Sequence, residues 1–162
     1  MTWKRNVLVV ANVTATSNEL LSALRARAER ETTAFTLVVP ATTFGGGRSA
    51  AERSLEDAIA TLRDAGLEVD GTVEAPDPVV AITDVWDPKQ YDEIVISTLP
   101  MRFSKWMHAG LPDRVERLTG APVTHVISQP PKPQLQTVPA PVPQRRPMGP
   151  LTVLAWGGQR QR

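Results

Sequence analysis

Short unbroken apolar runs alternate along this chain with longer segments that open on helix-capping residues. Val7-Leu8-Val9-Val10-Ala11 and Phe35-Thr36-Leu37-Val38-Val39 are brief and rich in β-branched residues. Runs of that kind read as strands buried on both faces, the pattern of a parallel sheet. Residues 91–98 and 122–127 repeat the pattern, and residues 67–74 give a more polar alternation suited to a sheet edge. Thr16 with Glu19, and Ser49 with Glu52, form capping boxes ahead of apolar stripes at helical spacing. The first stripe is Leu20, Leu21, Leu24 and Ala28; the second is Leu55, Ile59 and Leu62, ended by Gly66. Asp77-Pro78 supplies a cap and a first-position proline for a third helix over Val79, Ile82 and Val85, stopped before Pro88. Residues 112–118 form a fourth, closed by Gly120, and residues 103–109 have room for a helical turn. Five strands alternating with four helices predict an α/β fold: a doubly wound five-stranded parallel sheet with right-handed crossovers.

Composition changes abruptly at Gln129, with eight prolines over residues 129–150. No helix or central strand survives that density, so residues 129–162 read as a largely disordered, Pro-rich tail beyond a domain of residues 1–128. The tail carries five arginines and lysines and no acid, against a net charge of +1 for the whole chain, so the domain itself is mildly acidic. That density of charge is thin for a nucleic-acid arm. Leu151 to Trp156 is an isolated apolar patch that could add a strand to an exposed edge or dock on a protein partner. No apolar run reaches the length of a membrane span or a signal-peptide core, which points to the cytoplasm. With no cysteine and two distant histidines, neither a disulfide framework nor a metal centre is expected.

In an open doubly wound sheet, ligands bind beyond the carboxyl ends of the strands, where strand order reverses. The loops after the first and fourth strands, residues 12–16 and 97–102, are the candidates. Asn12 equally suits a turn, and Ser97 and Thr98 equally suit loop backbone groups. His125 reads as a satisfied sheet histidine, and His108 as packed or solvated. The Gly45-Gly46-Gly47 run lacks the Lys-Ser/Thr ending of a phosphate-binding loop. Gly-x-Ser-x-Gly and dehydrogenase or kinase fingerprints are absent, so catalysis is not expected.

From Asn6 to Ser128 the chain resembles a universal stress protein domain, which is Rossmann-like and of the adenine nucleotide-binding alpha hydrolase-like type. The resemblance is carried by the strand ending at Asn12, by Asp77-Pro78-Val79-Val80-Ala81-Ile82, and by Tyr91-Asp92-Glu93-Ile94-Val95-Ile96-Ser97. Asp113-Arg114-Val115 and Ala121-Pro122-Val123 complete it. It implies a stress-response domain that pairs as a homodimer through its last strand, Val123 to Val126, and whose ATP-binding members carry Gly-x2-Gly-x9-Gly-Ser/Thr. Here Ser97 and Pro100 fall on the two leading glycines when Gly110 is the third, and Leu111 replaces the hydroxyl residue. Anchoring instead on Arg114-Val115 puts Ala109-Gly110 on the Gly-Ser pair, and the set is incomplete in either register. Asn12 stands where the family has aspartate, while Pro100 and Pro112 each lack a backbone donor.

The candidate ligand-binding residues are Ala11, Asn12, Thr14 and Val39 near the ends of the first two strands, and Ser97, Thr98, Met101 and Arg102 after the fourth. Gly110 and Leu111 at the last helix complete the set. The expectation is a non-catalytic regulatory or ligand-sensing domain with weakened or lost ATP binding. Two alternatives stand beside it: a protein that binds or slowly hydrolyses an adenine nucleotide such as ATP, and a scaffold acting through its Pro-rich tail.

Overall fold

A computed structural model describes residues 3–43 and 46–130. The expected tail lies outside the described residues except for Gln129 and Pro130, as does the Leu151 to Trp156 patch. The chain runs β1 (Arg5–Val10), α1 (Asn18–Arg30), β2 (Thr33–Pro40), α2 (Gly47–Asp64), β3 (Glu68–Glu74) and α3 (Pro78–Val85). It continues through β4 (Glu93–Thr98), a 3-10 turn (Met101–Phe103), α4 (Lys105–His108), α5 (Leu111–Thr119) and β5 (Val123–Ile127). All five strands lie parallel in one sheet, in the order β3-β2-β1-β4-β5. Each strand of a parallel pair needs a crossover, and the intervening helices supply it. Among the described residues there are five α-helices rather than four; the additional one is α4, in the stretch whose sequence allowed a helical turn.

Alternation along the central strands builds two cores. Val7 and Val9 of β1 join Leu37, Val95, Leu20 and Leu24 on the α1–α2 face, where Ala58 and Leu62 also pack. Leu8 and Val10 join Ile94, Ile96, Ala81 and Val115 on the α3–α5 face. A strand buried on both faces must be apolar at every position, which is why these runs lack polar alternation. The more polar β3 is an edge strand, as its alternation predicts.

Two helix starts differ from the expected positions. Ser17 rather than Thr16 caps α1: its Oγ accepts from the Leu20 N–H at 3.1 Å, which puts Glu19 in the first turn to complement the dipole. α2 begins at Gly47, two residues before Ser49, so Ser49 caps nothing and is exposed. Gly46, at φ +91°, reverses the chain in the left-handed region that glycine adopts without strain, and this permits the earlier start. Asp77 caps α3 as expected, its Oδ1 accepting from Val79 N at 2.8 Å and Val80 N at 3.3 Å. Gly120, at φ +65°, ends α5. Among the described residues no helix is long and apolar enough to cross a membrane.

Candidate functional site

The sheet order reverses between β1 and β4: the chain adds β2 and β3 on one side of β1, then returns to place β4 and β5 on the other. Connections leaving β1 and β4 therefore part in opposite directions and leave a crevice at their carboxyl ends. A cavity of about 470 Å³ occupies this place, within the usual range of roughly 300–1,000 Å³ for small-molecule pockets. Because every helix that follows a strand starts at this end of a parallel sheet, the starts of α3, α4 and α5 also reach it.

The floor is made of short polar groups. Asn12 Nδ2 donates to Thr42 Oγ1 at 2.9 Å, tying the loop after β1 to the loop after β2. Thr14 Oγ1 donates to the Ser97 carbonyl at 3.1 Å and accepts from Ser97 Oγ at 2.8 Å. Ser97 Oγ lies 3.2 Å from Ser128 Oγ, which lies 2.7 Å from Ser17 Oγ. Four hydroxyls thus run from the β1 loop through the ends of β4 and β5 to the cap of α1. Such a satisfied buried chain fixes the floor in one arrangement. On the other face of β4, Thr98 Oγ1 lies 2.7 Å from His125 Nε2. Burial pushes the His125 imidazole below its ordinary pKa by disfavouring the charged ring. The sequence reading of His125 as a satisfied sheet histidine matches this contact. No carboxylate orients the far side of the ring among the described residues, so a Ser-His-Asp type relay is not assembled here.

The walls are largely apolar. Val13, Val79, Leu99, Phe103, Trp106 and Leu111 line them. Three charged residues reach the cavity: Asp77 at the start of α3, Lys105 at the start of α4 and Arg114 in α5. At the α5 start, Gly110 adopts φ +63° and its carbonyl accepts from Arg114 N at 3.1 Å. Pro112 has no N–H, leaving Leu111 and Asp113 as the other backbone donors of that first turn.

Of the residues expected at a ligand site, Asn12, Thr14, Ser97, Thr98 and Leu111 line the cavity together. Ala11 and Val39 do not; both are fully buried in the α1–α2 core just beneath the strand ends. Met101 and Arg102 lie on the exposed 3-10 turn, where the Arg102 guanidinium covers the Phe103 ring at 4.7 Å, and they do not line the cavity. Gly110 turns the chain into α5 without lining it. Thr42, Asp77 and Trp106 line the cavity but were not expected there, and Lys105 and Arg114, whose positive charge the sequence sets near the last helix, line it as well. Asp77 carried a usable signal, since a helix-capping residue after a parallel strand must lie at the carboxyl end of the sheet.

No family model matches the chain, and no curated protein does. Solved structures match it. A universal stress protein from Archaeoglobus fulgidus in complex with dAMP is 19% identical, with a TM-score of 0.55 over 78% of this chain and 99% of that one. A universal stress protein in complex with cAMP is 16% identical, with a TM-score of 0.55 over 76% of this chain and 96% of that one. A further universal stress protein structure from Archaeoglobus fulgidus is 20% identical, with a TM-score of 0.54 over 75% and 93% of the two chains. The chain therefore has a universal-stress-protein-like fold.

Proposed function

We propose that this is a non-catalytic, ligand-sensing domain of universal-stress-protein type that takes an adenine nucleotide in the crevice between β1 and β4 and binds ATP only weakly. One observation carries the reading: the cavity stands at the reversal of strand order, with apolar walls around Trp106 and Leu99 and a hydroxyl-lined floor. Apolar walls suit a base, and convergent hydroxyls suit a sugar. Two of the solved structures that share the fold hold dAMP and cAMP.

Weak triphosphate binding follows from the start of α5. A helix start holds phosphate through free N–H groups and a positive dipole end. Here Pro112 removes one donor, and the Asp113 carboxylate occupies the first turn with negative charge. Neither Ser97 nor Pro100 gives the backbone the close approach that glycine would at the leading positions of the family motif. The domain works in the cytoplasm as a homodimer paired through β5, whose outer edge is unpaired among the described residues and whose Ile127 is half exposed.

A thermal-shift series tests the reading, since a ligand that binds the native state raises its Tm. Millimolar AMP is expected to raise the Tm clearly, and the same concentration of magnesium-ATP to raise it less. A larger rise with ATP would contradict the reading.

A slow nucleotide hydrolase is the second reading, favoured by the Thr98–His125 pair, a hydroxyl beside an imidazole whose pKa burial lowers. Thr98 is 2% exposed and the ring has no orienting acid among the described residues, so the first reading predicts no phosphate release from ATP above background. Release that disappears in His125→Gln would establish the second.

A further inference from the structure

We propose that Lys105 and Arg114 form a single-phosphate anchor at the crevice, so that this chain selects a nucleoside monophosphate over both the bare nucleoside and the triphosphate. The inference rests on the adenine-nucleotide reading of the same crevice and adds to it how the anion is held.

The charge at the cavity wall is uneven. Its cations are Lys105 and Arg114, and its one carboxylate, Asp77, is engaged in capping α3 through Oδ1. Arg114 is exposed, and its side chain makes no hydrogen bond or ion pair among the described residues. A phosphomonoester carries a charge of about −1.5 to −2 near neutral pH, which two cations balance. The guanidinium fork binds two phosphate oxygens at once, and a lysine adds a compact point charge.

Longer phosphate chains meet a different environment. Further phosphates would depend on the backbone at the start of α5, where Pro112 donates nothing and the exposed Asp113 repels. Side-chain cations thus replace the backbone cradle, and they suffice for one phosphate only.

Isothermal titration of the full chain with adenosine, AMP and magnesium-ATP tests this. AMP is expected to bind about tenfold tighter than adenosine, as a charge-assisted hydrogen-bonded pair supplies. ATP is expected to bind no tighter than AMP. In Arg114→Gln the advantage of AMP over adenosine should collapse to within about twofold, and in Lys105→Gln it should fall part of the way. Arg117→Gln, on the same helix but outside the cavity, should keep it. An unchanged AMP advantage in Arg114→Gln, or equal binding of adenosine and AMP by the native chain, would each overturn the anchor while leaving the adenine reading standing; ATP binding tighter than AMP would overturn the anchor and the weak-ATP part of that reading together. Binding of none of the three would overturn both.

Discussion

Ser97 and His125 show how single side chains hold the crevice in shape. Ser97 is buried, and its hydroxyl joins Thr14 to Ser128 across the ends of β4 and β5. Ser97→Ala breaks the hydroxyl chain in the middle and should cost about 1–2 kcal/mol in urea unfolding, because buried partners lose a hydrogen bond they cannot regain from water. A cost near zero would mean that the chain contributes no stability. His125 makes stability depend on pH. Its folded pKa is lowered by burial, so as pH falls through about 6.5 the unfolded chain takes up the proton first. The contribution of this residue is complete above that pH and is lost as pH falls toward the folded value. The Tm of the native chain should therefore decline more steeply than that of His125→Gln between about pH 7.5 and pH 5. Parallel curves would show that His125 is not the group responsible. Asn12, Thr14, Ser97 and Thr98 were legible in the sequence because polar residues directly after apolar runs mark strand ends. Asp77 was legible in principle, as a helix cap that follows a parallel strand; Trp106 was not, because it reaches the cavity from a short helix whose placement depends on tertiary packing.

At the scale of elements, the contact of α2 with β3 turns on the absence of one side chain. A Cβ at Gly71 would lie 2.5 Å from Leu55 Cδ1 and 2.7 Å from the Leu37 carbonyl oxygen. The leucine can rotate, but the carbonyl belongs to the neighbouring strand in register with Gly71 and cannot yield without disturbing the ladder. Gly71→Ala should thus destabilise by about 1–3 kcal/mol despite the better strand propensity of alanine, measured as a lower urea midpoint at unchanged slope. No loss of stability would mean that α2 shifts freely. Strand positions were legible because burial on both faces leaves an unbroken apolar signature. Helix starts were less so: at α1 two adjacent hydroxyl residues, Thr16 and Ser17, compete for one cap, and the structure uses the second. At α2 the capping-box pattern of Ser49 and Glu52 is overridden by glycines that let the chain turn earlier, and Glu52 instead pairs with Arg48 at 3.3 Å.

For the molecule as a whole, alternating strands and helices determine a parallel sheet covered on both faces, but not the order β3-β2-β1-β4-β5. That order depends on where the chain crosses from one face to the other, a choice made by the joint packing of α3 and α5 against β1 and β4. The crossing creates the crevice, so the existence of a site was legible while its full lining was not. Glu93 is buried at the opposite end of β4, where Arg27 and Arg5 pair with it. The most direct check on a nucleotide site at the strand reversal is a titration of the 15N-labelled chain with AMP, followed by amide chemical shifts. Saturable shifts are expected at Asn12, Thr14, Ser97, Thr98 and Leu111, with the amides of Arg5, Arg27 and Glu93 unmoved. An absence of shifts, or shifts confined to the Glu93 end of the sheet, would contradict the account.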